Sequence, residues 1–163
     1  MTIARTKPGI LFRTGIALAI LFALSGCYNL DTDEFTKTKP SLQDLVGTYL
    51  LTDYSATSLR ERSGDLPNEI SIKLSPDGSC SLLNIPDSWG ENHTPVKFVS
   101  RIGKWELVQN QNYWIVALED LNPAGSWPET PTQLNIIGEK PPYILWITLG
   151  DADEGHVLGF SKR

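Results

Sequence analysis

The chain has few of the residues on which site chemistry usually rests. Among 163 residues there are two cysteines, Cys27 and Cys80, and two histidines, His93 and His156. No His-x-x-Glu-His spacing, CxxC pair, nucleophile elbow or phosphate-cradling glycine loop occurs. Asp151-Ala152-Asp153-Glu154-Gly155 is too short for a calcium loop, which needs 12 residues, and reads as a polar hairpin turn. Long apolar runs are missing as well. The unbroken stretch Ile16–Leu24 has nine residues. As a helix it reaches about 14 Å, against a bilayer core of about 30 Å, so it cannot cross a membrane. Basic charge is scarce after the first 26 residues. Of 14 Lys and Arg, three (Arg5, Lys7, Arg13) precede Cys27, leaving 11 against 19 Asp and Glu and a net charge of −8. That balance excludes nucleic acid and broad electrostatic adhesion to anionic lipid as partners. With acid–base groups so sparse, we expect no enzyme, no metal site and no cofactor.

What is present begins with a leader. A basic start, a short apolar centre and small residues ahead of a cut form the layout of an export signal. Leu24-Ser25-Gly26-Cys27 resembles the lipobox of bacterial lipoproteins. That resemblance implies cleavage before Cys27, a diacylglycerol on its sulfur and an acylated amine, typically a palmitate-type chain. Two or more chains anchor a protein stably, where one does not. Residues 1–26 are then a signal peptide, and the membrane is a partner through the lipid alone. Tyr28 stands where aspartate retains such proteins in the inner membrane. The implied location is therefore the cell envelope, at the outer membrane if the host has two. An acylated Cys27 leaves Cys80 without an internal disulfide partner, as a small buried apolar residue. Residues 27–41 are polar, lack periodic hydrophobicity and read as a lipidated N-terminus and flexible tether.

Residues 42–163 read as a single all-β domain of eight short strands divided by turns. The strands are expected at Val46–Thr52, Glu69–Leu74, Ser79–Asn84, Lys97–Val108, Tyr113–Leu118, Thr132–Ile137, Tyr143–Leu149 and His156–Ser161. One short helix is expected, around Ala56–Arg62. Strand two alternates cleanly, with Ile70, Ile72 and Leu74 on one face, and Ser75-Pro76-Asp77-Gly78 is a strong turn. In strand four Phe98 and Ile102 share one parity and Trp105 and Leu107 the other, which predicts a bulge near Gly103. Eight antiparallel strands in so short a chain suit an up-and-down barrel, because closure removes sheet edges. Gly47-Thr48-Tyr49 looks like the Gly-x-Trp entry of lipocalin-like (calycin) barrels, with tyrosine in place of tryptophan. The resemblance implies a basic residue near the last strand, Lys162 or Arg163, stacked on Tyr49. The segment Gly138–Tyr143 with Gly150–Gly155 is similar to a pattern in uncharacterised bacterial proteins and implies no activity.

In an up-and-down barrel, alternate connections share an end. The loops after strands two, four and six are short; those after one, three, five and seven hold nearly all the loop mass. Loops on a rigid scaffold concentrate binding, and barrel mouths are common ligand sites. The long-loop end displays Trp89, His93, Trp127, Arg60 and Arg62, with Asp151, Asp153 and Glu154. Trp89 and Trp127 either form a binding surface or fold inward as a plug. Strands five and seven are apolar on both faces, so their outer face needs a cover: the Ala56–Arg62 helix, a partner protein or a second copy. Two functional expectations follow. One is a binding module for a small apolar ligand at the barrel mouth or interior. The other is an envelope interaction or accessory module with a filled barrel and no small-molecule ligand.

Overall fold

The computed structural model describes residues 34–86, 97–121, 132–148 and 157–163. Eight strands form one closed barrel in chain order: β1 Gly47–Leu51, β2 Ser71–Leu74, β3 Ser79–Pro86, β4 Phe98–Asn110, β5 Tyr113–Glu119, β6 Gln133–Ile137, β7 Ile144–Thr148 and β8 Val157–Lys162. Every neighbouring pair is antiparallel, and β1 closes on β8 with Tyr49 opposite Lys162 and Leu51 opposite Phe160. The expected barrel and all eight strands are present, most with ends shifted by one or two residues.

Alternation decides which face each side chain takes. Tyr49 pairs with Ile72, Ile72 with Leu82, Trp105 with Leu118, Leu107 with Val116, Ile136 with Leu145 and Leu145 with Phe160, and all of these face inward. They belong to one continuous apolar cluster. Tyr49, Ile72, Val116, Leu134, Ile136, Leu145, Ile147 and Phe160 have no accessible surface. No void wide enough for a water molecule therefore adjoins them, and the waist of the barrel is filled by side chains.

The β2–β3 turn forms as expected. Gly78 has φ +81° and donates its N–H to the Ser75 carbonyl at 3.1 Å. The Asp77 carboxylate accepts from the N–H and hydroxyl of Ser79, which holds its pKa below the usual carboxylate value.

The strand-four irregularity lies elsewhere than expected. From Arg101 to Gln109 the inward parity of β4 is unbroken, and Ile102 points outward, 79% exposed. The extra residue sits on β3, between Leu82 and Ile85, where Asn84 adopts φ +52°. Asn84 suits that left-handed backbone, and its side chain donates to the Glu69 carbonyl at 2.8 Å. Gly103 instead permits a close approach: a Cβ there would collide with the Glu119 carbonyl oxygen and lie 2.8 Å from Leu121.

Two helices are present among the described residues, where one was expected. The first, α1 (Leu42–Leu45), is capped by Ser41, whose Oγ accepts from the Asp44 N–H and donates to its carboxylate. The second, α2 (Asp53–Ser63), starts at Thr52 and stops at Gly64, φ +74°. It reaches the long-loop end of the barrel, with Leu59 fully buried in the core.

Cover over the outer face of β5 and β7 comes from the chain's own segment before α1. Phe35 lies 4.9 Å from Tyr113 and 6.4 Å from Trp146 between ring centroids. Its neighbours stitch the seam where β5 and β6 diverge. Thr36 donates its N–H to Ile136 and accepts from Trp114, and Gly138 donates to Glu34. Lys39 then stands 5.1 Å over the Trp114 ring. Residues 34–40, expected as tether, are thus part of the domain's wall.

Candidate functional site

Two ends of the barrel compete for the role of site. Of the residues singled out at the long-loop end, Trp89, His93, Trp127, Asp151, Asp153 and Glu154 lie outside the described residues, as does Cys27. Arg60 and Arg62 fall in the last turn of α2, both exposed, where positive charge complements the helix dipole. Arg60 lines a shallow cleft of about 230 Å³ with Leu51, Ala56, Leu66 and Ile70. Arg62 is not among that cleft's lining residues.

The short-turn end is closed from below. The α1 helix carries Leu45 into the core, and Tyr49 donates its hydroxyl to the Leu45 carbonyl at 2.8 Å. Burial, reinforced by the negative charge of Asp44, pushes the Tyr49 phenol up to about 12. Lys162 crosses beside it. Its ammonium donates to the Asp44 carbonyl at 2.9 Å and lies 3.5 Å from that of Gln43, at the end of α1 where carbonyls lack helical partners. The resemblance led us to expect Lys162 or Arg163 stacked on the Tyr49 ring. Lys162 does sit opposite Tyr49, but its charge goes to the helix carbonyls, while the Arg163 N–H donates to Thr48. The lysine stem fills the space above Gly47, where a Cβ would come within 2.6 Å of Lys162 Cε. Gly47 also has φ +152°, so glycine is needed there twice over.

Beside this floor lies an apolar cleft of about 660 Å³, bounded by α1, the β2–β3 turn and β4. Leu42, Val46, Pro76, Trp105 and Leu107 line it, with Lys39 at its edge. Leu42 is 58% exposed. Trp105 is held by its indole N–H, which donates to the Ser75 carbonyl at 2.9 Å. Sequence reasoning missed this cleft because α1 was not expected. The signal was there: Ser41-Leu42-Gln43-Asp44 is a capping sequence ahead of a buried leucine.

A third groove, about 790 Å³, runs over the outside of β2, β3 and β4, where Leu83 and Ile102 are exposed among Lys73, Ser81 and Ser100. Among the described residues no three His, Cys, Asp or Glu gather as metal ligands. Cys80 is buried, donates weakly to the Lys104 carbonyl, and has its thiol pKa raised by burial. This is the setting of a packed thiol, not a nucleophile. No helix among the described residues is long and apolar enough to cross a membrane. No family model, curated protein or solved structure matches the chain.

Proposed function

We propose that this chain is a lipid-anchored envelope lipoprotein whose lipocalin-like barrel is a solid scaffold, acting through its outer surface as an interaction or accessory module. The observation that carries this reading is the filled waist: inward side chains from facing strands are fully buried against one another. A ligand held inside a barrel needs a lined void, and none adjoins those side chains. The external clefts and the exposed Leu83 and Ile102 supply surface for contact instead. The anchor rests on the match of Leu24-Ser25-Gly26-Cys27 to a lipobox and on the short apolar run before it.

Two measurements test the proposal. Metabolic labelling with palmitate should mark the protein, and Cys27→Ala should abolish both the label and membrane partitioning. Titration of the mature protein with a fluorescent fatty acid should show no saturable one-to-one site in the interior. Saturable binding weakened by Leu134→Trp, a substitution that adds volume to the waist, would return the function to a small apolar ligand.

A further inference from the structure

The docking of residues 34–40 sets how an anchored molecule must stand. This inference rests on the lipid-anchor reading. Seven residues lead from Cys27 to Glu34, and fully extended they span at most about 25 Å. The domain that follows is about 36 Å across, from a radius of gyration of about 14 Å for its length. Glu34 is fixed at the short-turn end, where its carbonyl accepts from Gly138 in the β6–β7 turn. With so short a connection fixed there, the opposite, long-loop end cannot rest on the bilayer.

An apolar cleft also opens at the short-turn end. The cleft of about 660 Å³ carries Leu42, Val46, Pro76 and Leu107, with Leu42 58% exposed at its rim. Charges of both signs edge it: Lys39 and Glu106 line it, and Asp77 stands between its lining residues Pro76 and Gly78, all three exposed. An apolar opening with a mixed-charge rim suits the boundary between headgroups and acyl chains, and its contact should persist at high salt.

We infer that the short-turn end is the membrane-facing surface of this protein, and that the cleft beside α1 seats on the acyl region of the bilayer's own phospholipids. The long-loop end, with Arg60 and Arg62, then faces away from the membrane, towards any partner.

Site-directed spin labelling of the mature, acylated protein in phosphatidylcholine vesicles tests this. Nitroxides go on Leu42→Cys and, separately, on Gln43→Cys, both exposed at the cleft, and on Tyr54→Cys, 83% exposed on α2. Buried Cys80 should take no label, which the unsubstituted protein checks. On reconstitution, the ratio of oxygen to nickel-chelate accessibility should rise roughly threefold or more at positions 42 and 43 and stay unchanged at 54. The rise should survive molar salt. Water-like values at both 42 and 43, with acylated Cys27 confirmed by mass, would overturn the orientation while leaving the anchor intact. A lipid signature at 54 would do the same. A mature chain with no acyl mass at Cys27 overturns the anchor, and the orientation with it.

Discussion

Phe35→Ala should destabilise the barrel although residue 35 lies outside every strand. Phe35 is 6% exposed, packed against Tyr113 and Trp146, and bridged to Ile137. Truncating a buried phenylalanine costs about 3–5 kcal/mol in a closed core. Here the site lies on the outer wall, so water can refill part of the space, and the lower end, about 3 kcal/mol, applies. For a domain of this size that loss lowers Tm by roughly 10 °C. Urea unfolding followed by tryptophan fluorescence gives the same quantity as a midpoint shift of about 1.5 M, taking a slope of about 2 kcal/mol per molar. Thr38→Ala, exposed and three residues on, is the control and should move the midpoint little. Removing residues 28–40 should cost more than Phe35→Ala, because three backbone hydrogen bonds at the β5–β6 seam go with the ring. A Phe35→Ala midpoint indistinguishable from the control would refute the idea that this segment is part of the wall.

Other outcomes follow from the floor of the barrel and from its thiol. Lys162→Met keeps the stem over Gly47 but removes the ammonium from the Asp44 carbonyl; thermal melts should show a loss of about 1.5–3 kcal/mol, the range for a charged hydrogen bond. The Tyr49 phenol, raised to about 12 in the folded state, binds its proton more tightly than in the unfolded chain. Its contribution is therefore intact below about pH 10 and lost as the pH climbs from there through about 12. Burial raises the Tyr143 phenol as well, so absorbance titration at about 295 nm should show two late-ionising tyrosines, of which Tyr49→Phe removes one. Cys80 should resist a thiol reagent at pH 8 in the folded protein and react at once in denaturant; fast reaction without unfolding would contradict its burial.

Much of the fold was legible because the signals were local. Ile70, Ile72 and Leu74 announce an inward face by simple alternation, and Pro76 with Gly78 announces the turn that follows. The phase conflict in strand four was also real to the eye, but it was placed on the wrong strand. A bulge is a property of a pair, and the pairing of β3 with β4 puts the extra residue at Asn84, which offers only a weak preference for left-handed backbone. The outer face of β5 and β7 was recognised as needing cover, yet Phe35 stood in a polar stretch that reads as linker. Nothing near it in sequence shows that Tyr113 and Trp146 come to it.

The order of residues alone determined an all-sheet body of eight strands and the scarcity of histidine and cysteine. Each of these depends on neighbours within a few positions, where spacing and side-chain type are enough. Tertiary structure decided that the barrel's waist is solid, that Lys162 caps a four-residue helix over Gly47, and that residues 34–40 belong to the wall. Those outcomes join residues as far apart as Asp44 and Lys162, 118 positions along the chain. Only closure of the sheet fixes the register that brings them within reach.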